Sequence, residues 1–450
     1  MFIEQFYDEG LAHLSYIVGD EDQAIVIDPH LDVNNYLDLA RKKQVRITHI
    51  FETHRNEDYV IGSQSLAAQT NAKIYHGNQL DFKYGNPVKE CDEFRVSNIL
   101  IKILETPGHT PESISLVLYN TTACDAPFAV FTGDALFVGE VGRTDLWKSR
   151  EEAAGFLYHS IYQKLLQLGD HVLIYPAHGA GSVCGEGMGT HNFSTIGYEK
   201  KYNKSLQNLS KEEFIENQRR RQFEHPPYFH EMEKRNLQGS GILKTLPQPG
   251  ILNVDDLIKN KTAQIVDVRP PEGFASVSIP NSFAIPHNMV SKFAGWFLDY
   301  KKDIILVAEN EQNMKAAVKQ LIRLGYTRIK GWLPSVLGWE ISGKQYWHIP
   351  VVQAQEIKNR IEKKKQFVLL DVRKGSEWNE GHLPGATHIF IGDLLKRMSE
   401  LPKEAVITTF CGSGRRATIA ASLLKQKNFK QVEICFGSMA ACKAIGCPIE

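Results

Sequence analysis

Two stretches of this chain, about 100 residues apart, run through the same motifs in the same order. QIVDVRPPEGF (264–274) is followed by SIPNSFAIP (278–286) and DIILVAENEQNMKAAVKQLI (303–322). FVLLDVRKGSEW (367–378) is followed by HLPGATHIF (382–390) and AVITTFCGSGRRATIAASLL (405–424). An offset of that size is a domain's length, not a solenoid repeat's. The second half is therefore read as two copies of one α/β unit, 252–345 and 350–450. Both copies are expected to close on a related turn, Lys330-Gly331-Trp332 and Phe436-Gly437-Ser438. GSGILKTLPQPG (239–250) cannot continue a helix and reads as the linker to a different first domain, 1–240.

That first domain alternates apolar runs with polar turns: AIVID (24–28), ITHIFET (47–53), ILIKILET (99–106), ISLVLY (114–119), FAVFTGD (128–134) and VLIYPAH (172–178). Helical stretches such as YLDLARKK and EAAGFLYHSIYQKLLQL lie between or after them, which predicts a mixed α/β domain of two packed sheets. With Lys plus Arg equal to Asp plus Glu, the formal net charge is zero, and nothing points to nucleic acid or an anionic membrane as partner. The Arg219-Arg220-Arg221 run is read as a solvated helix face. MFIEQFYDEG lacks the basic start and apolar core of a signal peptide. No apolar run approaches the roughly 18 residues of a membrane span. The 7 cysteines are scattered, without disulfide or zinc spacing. A cytoplasmic protein with reduced thiols is the expectation.

Four of the strand ends carry candidate metal ligands: His54 after HIFET, His109 in TPGHTPES, Asp134 in TGDALF and His178 in PAHGAG. Loops at sheet ends converge side chains from distant sequence, and each of these is flanked by Gly or Thr. The order TH(54)…TPGH(109)…TGD(134)…PAH(178) resembles the metallo-β-lactamase fold, an αββα sandwich, across 1–240. TPGHTPES, TGDALFVGEVGRTDL and PAHGAGS resemble its persulfide dioxygenase branch. The resemblance implies one Fe(II), held by His54, His109 and Asp134, with zinc as the alternative metal. Two His and one carboxylate leave open positions for O₂ and a sulfur ligand. The family's Thr-His-x-His-x-Asp-His signature is broken here, with Asn56 and Tyr59 in place of two histidines. Asp58 and His178 remain, too few to hold a second zinc and suited to orienting the iron ligands. Tyr59 either offers its hydroxyl to substrate or packs. Cys184, in the Gly-rich loop after His178, is either a pocket thiol that exchanges sulfur or a half-buried loop cysteine.

CGSGRR (411–416) sits between an apolar strand and a helix, so backbone N–H groups and a helix amino terminus face Cys411. Arg415 and Arg416 add positive charge that favours a thiolate or persulfide anion. The surrounding pattern resembles a rhodanese domain with a parallel sheet, which implies that Cys411 carries sulfane sulfur, assisted by Arg416. Gly412 and Cys442 depart from that family's usual Arg and Trp. In the first copy the loop reads Ala308-Glu309-Asn310-Glu311-Gln312-Asn313, with Glu309 expected at the nucleophile position, and this copy is taken as non-catalytic. Cys435, Cys442 and Cys447 receive no role.

The whole resembles fusions of a persulfide dioxygenase with two rhodanese domains. That implies a low-molecular-weight thiol persulfide and O₂ as substrates, sulfite or thiosulfate as sulfur partners, a role in sulfide detoxification, and a homo-oligomer. Joining two sites in one chain raises the local concentration of an intermediate. Two rivals stand beside it: a metal-dependent thioester hydrolase of the glyoxalase II type, and a silent sulfur carrier in which only Cys411 works.

Overall fold

A computed structural model describes residues 1–183, 185, 187–207 and 210–450; Cys184 lies outside the described residues. The chain divides into two compact units, Met1–Leu246 with Ile322–Gly325, and Pro247–Leu321 with Tyr326–Glu450.

The first unit holds two six-stranded sheets. One runs in chain order through β1 (Phe2–Asp8), β2 (His13–Asp20), β3 (Gln23–Ile27), β4 (Arg46–Phe51), β5 (Lys73–Gly77) and β6 (Asn86–Val88). The other runs through β7 (Glu93–Val96), β8 (Ile99–Glu105), β9 (Ile114–Asn120), β10 (Ala129–Gly133), β11 (Leu173–Pro176) and β12 (Ser194–Thr195). Successive side chains of a strand face opposite sides, and the sequence uses both. Leu14, Tyr16 and Val18 of β2 and Ile25 and Ile27 of β3 pack between the sheets against Ile101, Ile103, Leu116 and Phe131. Ile17, Ala24 and Val26 face outward, against Tyr36 and Ala40 of the Asn34–Lys43 helix. On the opposite face Val117, Val130 and Ile174 pack against Leu157 of the Arg150–His159 helix. The result is the four-layer αββα sandwich. Most contacts between β3, β4, β5 and β6 and between β10 and β11 are parallel.

The second unit contains two parallel sheets. The first has the order β14-β13-β15-β16, from β13 (Gln264–Asp267), β14 (Phe283–Ala284), β15 (Ile304–Val307) and β16 (Ile329–Leu333). The second has the order β17-β21-β20-β18-β19, from β17 (Val351–Val352), β18 (Val368–Asp371), β19 (Thr387–His388), β20 (Ile407–Phe410) and β21 (Val432–Cys435). The duplication is visible in side-chain chemistry. Arg269 donates to Asp267 as Arg373 donates to Asp371, each a buried fork at the end of the leading strand.

Two details of the expected alignment are corrected. Lys330, Gly331 and Trp332 lie inside β16 and form no turn; by position after the strand, the counterpart of Phe436-Gly437-Ser438 is Pro334-Ser335-Val336. The loop register also slips by one residue. Asp267 pairs with Val307 as Asp371 pairs with Phe410, so the residue matching Cys411 is Ala308, not Glu309. The cause is a shorter loop: the first helix starts at Glu311, its counterpart at Arg415. Among the described residues, no helix is long and apolar enough to cross a membrane.

Candidate metal centre and sulfur-transfer loop

The ends of β4, β8, β10 and β11 bring His54, His109, Asp134 and His178 together in the first unit. Gly133, at the end of β10, has φ of 53°, and a Cβ there would lie 2.8 Å from the Thr53 side chain; glycine allows this close approach. One donor atom from each of His54, His109 and Asp134 lies within 4.8 Å of the others, and all three residues are buried. Nε2 of His54 is 3.7 Å from Asp134 Oδ2, and Nε2 of His109 is 3.5 Å from it.

The neighbours fix which nitrogen faces the cluster. Thr53 Oγ1 donates to Asp28 Oδ2 at 2.7 Å, so it accepts from Nδ1–H of His54 at 2.9 Å. His109 donates Nδ1–H to the Arg143 carbonyl at 3.1 Å. Both Nε2 atoms are buried without a hydrogen bond. Buried polar atoms are rarely left so, and two imidazole Nε2 atoms converging on a carboxylate oxygen fit a bound metal ion. Asp134 Oδ1 accepts from His178 Nδ1 at 2.8 Å, while Nε2 of His178 is 3.1 Å from Asp58 Oδ2. His178 and Asp58 thus stand one layer behind the triad, orienting Asp134.

The two residues that break the signature are built into the wall. Asn56 is buried and donates Nδ2–H to the His54 carbonyl at 3.2 Å. Tyr59 is buried with its hydroxyl 2.8 Å from Nε2 of His13. Its surroundings are His13 and His30, whose rings meet edge to face at 4.7 Å.

Several residues that sequence reasoning missed shape this site. Asn236, on the Phe229–Gln238 helix, donates to the carbonyls of Asn56 and Tyr59 at 2.7 Å each and accepts from Ile61 N–H at 3.0 Å. Glu112 accepts from the Arg55 N–H at 2.6 Å. Arg143 is fully buried, its guanidinium forked onto Asp145 at 2.7 and 2.8 Å and its ring neighbour Phe223 at 4.5 Å. That fork holds the loop whose carbonyl orients His109. Glu57, an unspecified position of the signature, is buried with Oε1 3.2 Å from His109 Nε2.

Charge follows from this packing. Burial, the largest influence, pulls the His54 imidazole down to about 4 despite Asp134. Burial opposes charge on His109 most strongly as well, yet Glu57 and then Asp134 outweigh it and raise His109 to about 9. Burial also works against ionised Asp134, but His178 and His54 prevail and its carboxyl is held low. At neutral pH the metal-free protein therefore carries a proton on His109 and none on His54. A metal must displace that proton. Metal uptake is expected to release about one proton, and affinity to fall about tenfold per pH unit below about 9. Cobalt(II) titrations between pH 6.5 and 8.5 in buffers of different ionisation enthalpy check this; a pH-independent affinity would contradict it.

In the second unit Cys411 is buried at the end of β20, and its Sγ accepts the Gly414 N–H at 3.1 Å. Gly414 has φ of 104° and caps the Arg415–Gln426 helix, turning the loop back over the sulfur. Ser438 Oγ accepts from the Cys411 N–H at 3.1 Å and donates to the Cys435 carbonyl at 2.6 Å. Arg416 is forked onto Glu377, with one contact at 2.7 Å. Arg415 is exposed and lines a cleft of about 370 Å³ with Ser413 and Phe436, faced by Pro271, Glu272 and His287 of the first repeat. Cys435, Cys442 and Cys447 are core residues; burial raises the Cys435 thiol to about 12.

The description "Metallo-beta-lactamase superfamily" matches residues 8–178, and "Rhodanese-like domain" matches 253–336 and 353–444. A crystal structure of a metallo-beta-lactamase from Staphylococcus aureus subsp. aureus COL is 32% identical, with a TM-score of 0.69, and the match covers 74% of this chain and 99% of that one. The chain belongs to the metallo-β-lactamase superfamily. It joins a domain of that fold to two rhodanese-like domains. Residues of the first domain are similar to mitochondrial persulfide dioxygenase ETHE1 of Mus musculus, 29% identical over 223 residues, 48% of this chain and 79% of that protein. They are also similar to the hydroxyacylglutathione hydrolase GloC of Haemophilus influenzae, 28% identical over 218 residues, 44% of this chain and 93% of that protein. Membership of this superfamily thus leaves dioxygenase and hydrolase to be separated by the site itself.

Proposed function

We propose that the first domain is a persulfide dioxygenase and that Cys411 moves the sulfane sulfur. Overall, a thiol persulfide, O₂ and water give thiol, sulfite and two protons (RSSH + O₂ + H₂O → RSH + SO₃²⁻ + 2H⁺). The observation that carries this reading is a three-donor cluster, His54, His109 and Asp134, beside a loop in which Asn56 and Tyr59 are engaged with the His54 carbonyl and His13. Iron(II), when bound, supplies a redox-active ion with open positions for O₂ and sulfur. The chain's own residues do the rest. Thr53 and the Arg143 carbonyl hold the two imidazoles in the tautomer that presents Nε2, and His178 fixes Asp134. Burial of the cluster excludes bulk water from the reacting sulfur.

At Cys411, a persulfide (Cys411–S–S⁻) meets sulfite. The sulfite sulfur bonds to the outer sulfur, the S–S bond breaks, and thiosulfate leaves with the Cys411 thiolate regenerated. The Gly414 N–H and the following helix terminus sit where negative sulfur charge is carried. The reverse direction uses the same groups.

The likeness to GloC favours a second reading, hydrolysis of a thioester, which calls for two well-held metal ions to activate water. Metal analysis of protein purified without added metal, together with a thioester hydrolysis assay, separates the two. About one iron per chain without hydrolysis is expected; two zinc ions with hydrolysis would replace the dioxygenase reading.

A further inference from the structure

We infer that the cleft beside the Cys411 loop binds the thiol that brings sulfur to Cys411, and that it selects a low-molecular-weight thiol bearing both an ammonium and a carboxylate group. This rests on the reading of Cys411 as the sulfur-transfer nucleophile and names the substrate class of that site. The cleft, of about 370 Å³, lies within the second unit and is lined by both repeats. Gly414 and Arg415 come from the second repeat, Glu272 and His287 from the first. The Cys411 sulfur accepts the Gly414 N–H at 3.1 Å, so the cleft opens on the loop that wraps the nucleophile. The repeat with Ala308 at the matching position thus supplies one wall of the other repeat's site.

The two walls carry opposite, unpaired charges. Arg416 is occupied by Glu377. Arg415 and Glu272 are exposed, and among the described residues neither has an ion pair, with the other or with any third group. His287 also lines the cleft, and its Nδ1 is buried without a hydrogen bond. Its backbone is fixed, since its N–H donates to the Val268 carbonyl at 2.9 Å and its carbonyl accepts from Gln320 at 2.6 Å. Buried polar atoms seldom stay without a partner, and a polar group of a ligand gives this one a partner. Pro271 and Phe436 add apolar surface for a carbon chain. The volume falls within the roughly 300–1,000 Å³ of small-molecule sites, and a sulfite or thiosulfate ion alone leaves most of it to water. An ammonium facing Glu272 and a carboxylate facing Arg415 pair both charges at once. An inorganic dianion pairs only with Arg415 and is repelled by Glu272. With the carrier held there, the Cys411 thiolate attacks the outer sulfur of the bound persulfide. The new S–S bond forms as the old one breaks, and the carrier leaves as its thiol with the persulfide proton (RSSH + Cys411–S⁻ → Cys411–S–S⁻ + RSH).

The test is sulfur transfer to sulfite by the full chain without O₂, read as thiosulfate, with Cys411→Ser giving the uncatalysed background. Cysteine persulfide is compared with the persulfide of 2-mercaptoethanol, which has neither charge. Dividing the two kcat/KM values, and comparing that ratio between proteins, cancels the intrinsic reactivity of each persulfide. Exposed charges are worth little singly, so Glu272→Gln and Arg415→Gln are each expected to lower the ratio about threefold, and the double variant about tenfold. The same ratio in wild type and all three variants, with transfer lost in Cys411→Ser, would overturn the inference alone. Wild type no faster than Cys411→Ser with either persulfide would overturn the sulfur-transfer reading and the inference with it.

Discussion

His54→Ala is expected to lower iron(II) affinity by about a hundredfold or more and to abolish persulfide-dependent O₂ uptake. Loss of an outer-layer partner alone typically costs 10–100-fold, and His54 faces the cluster directly. The reasons lie in its surroundings. Its Nδ1–H is committed to Thr53, which is itself held by Asp28, so no rotation of a neighbouring side chain replaces its Nε2. Alanine also leaves Asp134 facing one imidazole of the triad in place of two. The fold should survive, because the sandwich core is built from apolar residues of both sheets and not from the cluster. Circular dichroism and thermal unfolding separate the two effects: native spectra with little bound iron are expected. Normal iron content would contradict the assignment.

Cys411→Ser is expected to reduce sulfur transfer between thiosulfate and an acceptor by about a thousandfold or more, while leaving O₂ uptake unchanged. A serine hydroxyl can sit in the same loop and accept the Gly414 N–H, so the loop geometry is kept. It cannot form a persulfide, and removal of the nucleophile from a covalent mechanism typically costs several powers of ten. With persulfide and O₂ supplied, the variant should accumulate sulfite where wild type makes thiosulfate. Equal thiosulfate from both would place sulfur transfer elsewhere in the chain. The neighbouring Cys435 is a poor substitute, since it lies in the core with its thiol pushed up to about 12 by burial.

Much of this architecture is legible in the residues, because polar ligands follow apolar strands and Gly or Thr marks each end. His54, His109 and Asp134 fall together as the motif order implies. What escaped notice has physical causes. β2 buries residues on both faces, so LSYIV shows no clean alternation. His13 is a lone histidine at a strand start, and only three-dimensional proximity reveals it against Tyr59. Asn236 reaches the signature loop from 180 residues away, through a helix whose sequence advertises only charge. Glu57 occupies a spacer position in the signature, where a pattern of histidines gives no reason to look. The slip between Ala308 and Glu309 comes from aligning strands by similarity alone, whereas the shorter loop becomes visible through strand pairing. The resemblance implies a role for Arg416 beside Cys411; in the fold its guanidinium is held by Glu377, and Arg415 is an exposed cation of the loop.

The most direct measurement is simultaneous recording of O₂ consumption and sulfite formation by the iron(II)-loaded Cys411→Ser protein given a low-molecular-weight persulfide. One O₂ consumed per sulfite formed, with both lost on adding His54→Ala, is the predicted result. An iron-loaded protein that consumes no O₂ with any persulfide would contradict the dioxygenase account.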